Sequence, residues 1–267
     1  MASSKKPMGR PRRPKLGQHF LHDAGVLDRI VDALAFSPGQ LVIEVGPGRG
    51  ALTRRLLTAG ARVLAIELDS ELANRIREEF ADQPNFKVID DDILNVDLRA
   101  LTGGETAVLA GNLPYYITSP IVRKTLEAGD CLERAVFLVQ LETAERIAAR
   151  KGTSEYGYLS ALVRLQADPE VMFRVPPSAF RPPPRVQSAV IRLTPKSDAK
   201  LDRGFIRFLE TAFRHRRKTL LNNLAAIYDK ATISEQPEAG LRAQQLDVEE
   251  LHELWGRLNQ ATTRTVQ

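Results

Sequence analysis

Asn112, Leu113, Pro114 and Tyr115 stand in a row directly after an apolar run, "TAVLAG" (106–111), and Tyr116 follows them. The run reads as a buried strand. Proline fixes φ and carries no N–H, so it stops the strand and holds the carbonyl before it in one direction. An asparagine side chain both accepts and donates hydrogen bonds, and a tyrosine ring offers a π face. Two readings fit these residues alone. One is a strand end with packed tyrosines. The other is a site that grips a flat, polar, uncharged group.

A second group has chemistry of a different kind. "EVGPGRG" places Gly46, Gly48 and Gly50 straight after another apolar strand, with a helix expected from Ala51. Glycines there allow a sharp turn and close approach of a ligand to the backbone. The spacing is G-x-G-x-G, neither the G-x-G-x-x-G of dinucleotide folds nor the lysine-bearing loop of nucleoside triphosphatases. With no lysine and with Glu44 beside it, the loop suits a nucleoside with a cationic or zwitterionic tail better than it suits phosphates. Glu67 closes the next strand, where an acid can take two ribose hydroxyls. Asp90, Asp91 and Asp92 follow the third strand. Each acid alone reads equally well as a solvated surface residue. In an α/β sheet, however, the carboxyl ends of the strands line the ligand crevice, and Glu44, Glu67, Asp92 and Asn112 all fall there.

The elements that must position these residues alternate. Apolar runs at 41–45, 62–68, 86–90, 106–111 and 134–140 are separated by helix-period segments at 51–59, 70–81, after Ser119-Pro120 and from Glu142. This predicts an α/β fold with a parallel, doubly wound sheet. Two more strands, 170–175 and 188–195, have only a proline-rich loop between them, which predicts an antiparallel addition at one edge. "TPKSDAKLD" (194–202) reads as a linker, and the rest reads as a small helical domain. In it "FIRFLETAFRHRRKTLLNNLAAI", "LRAQQL" and "VEELHELWGRL" are helical, and the basic run "RHRRK" (214–218) shares one helix with "TLLNNL". The expected division is an arm over 1–14, an α/β domain over 15–195 and a helical domain over 201–267.

The 267 residues carry a formal net charge of +5. Six of the cations lie in the first fifteen residues, with no acid among them. Removing them leaves 32 Lys and Arg against 33 Asp and Glu. The body is therefore nearly neutral, and the arm, with Pro7, Pro11 and Pro14, is expected to be unfolded and to reach for nucleic acid. Its prolines argue against the amphipathic helix of a transit peptide. One cysteine, Cys131, excludes an intrachain disulfide and a cysteine-built zinc site. The histidines show no metal-ligand spacing, so no metal is expected. No apolar run is long enough to span a bilayer, and a monomer working in the cytoplasm is expected.

"KLGQHFL" (15–21), "IEVGPGRGALT" (43–53), "GNLPYYI" (111–117), "FLVQLETAERI" (137–147) and "VPPSAFRPPPRVQSAVIRL" (175–193) together resemble the motifs of the rRNA adenine N6,N6-dimethyltransferases, in order, over residues 15–225. The leucine of "NLPY", the "PPPRVQS" run and the long C-terminal segment favour the bacterial small-subunit (16S) branch over the 23S rRNA resistance branch. Two positions depart from the family's usual pattern: Leu141 replaces a basic residue, and Gln187 stands in "VQS" where "VDS" is common.

The resemblance implies a Rossmann-like class I methyltransferase domain, a helical domain and S-adenosylmethionine as cofactor. Gln18, Phe20 and Leu21 would edge the cofactor, Gly46 and Gly48 would pass under its methionine portion, Glu67 would hold the ribose and Asp92 the adenine amino group. Glu44, Leu68, Ile93 and Asn112 are counted with that site. Asn112, Leu113, Pro114 and Tyr115 would handle the target adenine, and Phe180 would stack on it from the other side, held over the opening by the prolines at 182–184. Arg214, Arg216, Arg217 and Lys218 would contact RNA phosphates. The partner implied is small-subunit rRNA, in a partly assembled 30S particle, with two adjacent adenines of a 3′ hairpin loop as targets. Three other readings remain: the 23S branch, a non-catalytic RNA-binding assembly or transcription factor on the same fold, and a small-molecule methyltransferase.

Overall fold

The structure, a computed structural model, describes residues 19–196 and 202–265. The elements run β1 (Phe20–Leu21), α1 (Ala24–Leu34), β2 (Leu41–Val45), α2 (Ala51–Thr58), β3 (Arg62–Glu67), α3 (Ser70–Glu79), β4 (Phe86–Asp90), α4 (Leu98–Thr102), β5 (Ala107–Asn112) and α5 (Thr118–Ala128). After these come β6 (Leu132–Gln140), α6 (Leu141–Ala148), α7 (Tyr158–Gln166), β7 (Ala167–Val175), β8 (Phe180–Arg181) and β9 (Ser188–Pro195). The chain then turns helical: α8 (Arg203–Ala212), α9 (Leu220–Leu224), α10 (Lys230–Ser234) and α11 (Val248–Thr265).

Seven strands form one sheet in the order β4-β3-β2-β5-β6-β9-β7. The first five are parallel, and β9 enters antiparallel between β6 and β7. All five residues of β2 are buried, as a strand covered on both faces requires. Alternate residues feed opposite layers. Ile43 and Val45 join Leu109 and the α5–α7 side, whereas Val42 joins Val108 and the α1–α2 side. A third apolar cluster is built around Phe205, Phe208, Leu251, Leu254 and Leu258 of α8 and α11, with Tyr156 packed into it.

The strand order reverses between β2 and β5, so the crevice beyond their carboxyl ends is the place for a ligand. Val45 pairs with Gly111 there. A Cβ on Gly111 would stand 2.9 Å from the Val45 carbonyl oxygen, so glycine is what lets these two strand ends close up.

Several expectations change. Leu68 lies outside β3, and Thr194 and Pro195 belong to β9 rather than to a linker. "RHRRK" is not helical with "TLLNNL": α8 stops at Ala212, where the Phe213 N–H turns back onto Leu209 and Thr211, and α9 starts only at Leu220. The basic run is the loop between them, tied down by the Asn223 amide, which donates to the carbonyls of Ala212 and His215. "LRAQQL" holds a single 3-10 turn, Ala243–Gln245. Helices α1 and α7 and the two-stranded β1–β8 pair are additional. The arm over residues 1–14 lies outside the described residues.

Candidate active site at the β2–β5 switch point

Gly46 and Gly48 have φ of 66° and 56°, a region other residues avoid. Open space lies where a Gly46 Cβ would point, whereas a Gly48 Cβ would meet the Phe20 ring at 3.2 Å. The loop thus exposes backbone on one side and is roofed by β1 on the other. Its amides are held from below: Gly46 N–H donates to Ile66 O at 2.9 Å, and Gly48 N–H to Glu67 Oε2 at 3.0 Å.

Glu67 is 6% exposed. Its other oxygen accepts from Asp69 N–H at 3.0 Å. Burial pushes its pKa up, against the pull of these two amides. Glu44, 2% exposed, accepts from the Thr53 hydroxyl at 2.6 Å. Burial, opposed by Thr53 and reinforced by the charge of Glu67, pushes it up to about 7. Two desolvated carboxylates beside a glycine turn are an environment that a cationic ligand relieves. Asp92 accepts from Leu94 N–H at 3.0 Å and sits in a turn after β4. Asp91 N–H donates to Glu67 O, tying that turn to β3. Of the flanking apolar residues, Leu68 is 44% exposed, whereas Ile93 is 5% exposed and belongs to the core. Leu94, at 37%, is the exposed one on that turn.

Asn112 ends β5. Its amide Nδ2 donates to the His19 carbonyl at 3.1 Å. A flipped amide would set oxygen against oxygen, so this contact identifies Oδ1 as the acceptor end, to which nothing donates among the described residues. Leu113 is buried and donates its N–H to Leu138 O at 3.0 Å. Among the described residues nothing donates to its carbonyl. Pro114 follows and is exposed, and Tyr115 begins a short 3-10 turn. The Tyr115 hydroxyl lies 3.2 Å from Ser188 Oγ, and its ring stacks on His19 with centroids 6.1 Å apart.

His19 does not stand out as a site residue in the sequence, yet it joins the pieces: carbonyl to Asn112, ring to Tyr115, Nδ1 within 2.7 Å of Pro182 O. The signal is its place inside the matched run "GQHFL". Gln18 lies outside the described residues. Leu21 is buried and pairs with Phe180 in the β1–β8 ribbon. Phe180 itself is 2% exposed and packs into the α1–α2 cluster, so it does not form an open wall opposite Tyr115. Arg214, Arg216, Arg217 and Lys218 are all exposed. The two departures from the family pattern meet, Leu141 N–H donating to Gln187 O at 3.0 Å.

The pattern of the ribosomal RNA adenine dimethylases matches residues 9–258. The chain belongs to this family. A ribosomal RNA small subunit methyltransferase A of Acidobacterium capsulatum is 44% identical over 92% of the chain and 91% of the relative. One of the same name from Pseudomonas syringae is 40% identical over 88% and 90%. Among solved structures, a dimethyladenosine transferase from Plasmodium falciparum superposes with a TM-score of 0.79 at 25% identity, over 91% of this chain and 98% of that one. The 23S rRNA methyltransferase ErmE gives 0.69 at 28%, over 90% and 99%. The fold of this dimethylase family member is thus that of the class I rRNA methyltransferases. No helix among the described residues is long and apolar enough to cross a membrane.

Proposed function

We propose that the protein transfers methyl groups from S-adenosylmethionine to N6 of two adjacent adenines in a hairpin loop near the 3′ end of small-subunit (16S) rRNA. The relatives named small subunit methyltransferase A, at 40–44% identity, favour this branch over the 23S branch. The observation that carries the chemistry is the pinned amide of Asn112.

S-adenosylmethionine supplies an activated methyl group when bound. The residues present fit it: positive-φ Gly46 beside open space, the buried Glu67 at the ribose position, Asp92 on the adjoining turn, and the desolvated Glu44 beneath. Gly46 and Gly48 would run beneath its methionine portion. Asn112 Oδ1 and the Leu113 carbonyl accept the two N6 hydrogens of the target adenine. This draws the N6 lone pair out of conjugation and orients it toward the methyl group that the bound cofactor would supply, its former bonding electrons staying with the cofactor; the N6 proton departs afterwards. No strong base is required. Orientation of this kind is worth up to ~7–11 kcal/mol. After one transfer a single N6 hydrogen remains, and either acceptor holds it for the second.

The target must be unpaired or flipped. Tyr115 supplies one aromatic wall, fixed by Ser188 and His19. Phe180 serves as the second only when the β1–β8 pair parts. The exposed Arg214–Lys218 loop meets RNA phosphates. The protein works as a monomer in the cytoplasm, on rRNA within a partly assembled 30S particle. Incubation with labelled S-adenosylmethionine tests this: label should enter small-subunit rRNA and not free adenosine. Label in adenosine alone would support a small-molecule enzyme, and label in neither a non-catalytic binder.

A further inference from the structure

A cleft of about 460 Å³ lies between the β1–β8 ribbon and α2. Its floor is apolar, formed by Leu21, Leu27 and the Phe20 ring, and its walls carry four arginines from three separate segments. Arg49 comes from the glycine loop, Arg54 and Arg55 from α2, and Arg181 from β8. Among the described residues no carboxylate lines it.

Arg55 pairs with Asp28 at 3.4 Å, and Arg54 pairs with Glu79 and lies 5.6 Å from the Phe80 ring centroid. Both pairs are exposed, and such pairs contribute little to stability. Arg49 lies over the Phe20 ring, 4.4 Å from its centroid. Among the described residues neither Arg49 nor Arg181 has an acidic partner.

Arginine forks match phosphate geometry, and an aromatic ring among them is the pairing that binds single-stranded nucleic acid. The cleft also adjoins the reacting groups. Phe20 lines it, and the residue before, His19, holds Asn112 and stacks on Tyr115. From His19 to His22, which also lines the cleft, an extended chain covers about 10 Å. A strand delivering its base to Asn112 would carry its neighbouring phosphates into the arginines.

We propose that this cleft binds the sugar–phosphate backbone of the single-stranded RNA flanking the target adenine. The inference rests on the functional reading above for the identity of the RNA, but not for its charge. It is distinct from the Arg214–Lys218 loop, which lies on the helical segment between α8 and α9.

The test uses the full chain, a fluorescent hairpin with the small-subunit rRNA 3′ sequence, and anisotropy at several salt concentrations. The triple variant Arg54→Gln, Arg55→Gln, Arg181→Gln is compared with its Arg→Lys counterpart. Arg49 is left alone because it belongs to the cofactor loop. Each phosphate that is no longer neutralised lowers the salt slope by about 0.7–0.9, so the glutamine variant should show a slope shallower by about two units. It should also raise KM for RNA by roughly tenfold, with kcat at saturating RNA and S-adenosylmethionine affinity unchanged. The lysine variant should keep the slope. An unchanged slope in the glutamine variant, or an equally shallow slope in the lysine variant, would overturn the proposal. Binding is read without methyl transfer, so a wild-type protein that binds with the expected slope but transfers nothing contradicts the functional reading and leaves the cleft standing.

Discussion

The side-chain amide of Asn112 donates to the backbone carbonyl of His19 across 93 residues of sequence, at 3.1 Å. The contact uses the donor half of the amide and leaves the acceptor half, Oδ1, without a donor among the described residues. The role assigned to Asn112 therefore belongs to the transfer step and not to cofactor binding. Asn112→Ala should lower kcat by ~10²-fold or more, the scale for removing one aimed polar group from a reacting centre. S-adenosylmethionine affinity, read by calorimetry, should stay within a few-fold. Asn112→Asp should fare no better, because a carboxylate would face the His19 carbonyl oxygen. Near-normal turnover in either variant would exclude the mechanism.

Glu67 couples the glycine loop to the end of β3 through Gly48 and Asp69. Glu67→Ala should cost about 1.5–3 kcal/mol of S-adenosylmethionine binding, the range for hydrogen bonds to a charged group. Glu67→Gln, which can still accept from one amide, should lose less. Calorimetry on both variants, with circular dichroism to confirm the fold, gives the comparison. Unchanged affinity in the alanine variant would remove Glu67 from the site.

Glu44 makes a pH prediction with a definite sign. Its carboxyl titrates at about 7 in the folded chain against an ordinary value of 4.5. Between those values the folded state keeps a proton that the unfolded state has released. Stability contributed by the neutral carboxyl is complete below about 4.5 and is lost as pH rises through about 7. Glu44→Gln cannot titrate. The variant should gain on the wild type between pH 5 and pH 8, by up to about 3 kcal/mol at 1.36 kcal/mol per pH unit. Urea unfolding at both pH values reads the difference. Parallel behaviour would show that Glu44 is ionised throughout.

Gly111→Ala tests the closure of β2 against β5. The added Cβ would press on the Val45 carbonyl at 2.9 Å and on Leu113, and backbone cannot swing aside as a side chain can. A loss of about 1–3 kcal/mol is expected, with weaker cofactor binding because Val45 leads into the glycine loop. Wild-type stability would mean the strand ends tolerate separation.

Much of the parallel sheet was legible because β2, β3 and β5 are mainly apolar runs that stop at Gly46, Glu67 and Asn112, a pattern that local chemistry alone produces. The antiparallel edge was legible for a different reason: the segment between 170–175 and 188–195 is proline-rich and too short for a crossover helix, holding only a single 3-10 turn, Pro177–Ala179, and β8. The β1–β8 pair was not, since two residues on each side carry no periodicity and their pairing spans about 160 positions of chain. Helix α1 did leave a signal. Asp23 caps it through Val26 N–H, and Val26, Leu27, Ile30, Ala33 and Leu34 repeat at helical spacing. The basic loop misled because Phe205 to Phe213 and Leu220 to Leu224 share one helical phase, while the interruption is fixed by a tertiary contact from Asn223. In the site, residues at strand ends could be found from their element alone. The burial of Phe180 could not, because it depends on Leu21, a distant partner.

The central claim is dimethylation of N6 on small-subunit rRNA by this chain. Its most direct test is mass spectrometry of rRNA from cells lacking the protein, before and after incubation of their immature small subunits with purified protein and S-adenosylmethionine. Two adjacent N6,N6-dimethyladenosines near the 3′ end should be absent beforehand and present afterwards, and the Asn112→Ala protein should restore neither. Dimethyladenosine already in place without the protein, or new methyl groups only in large-subunit rRNA, would contradict the account.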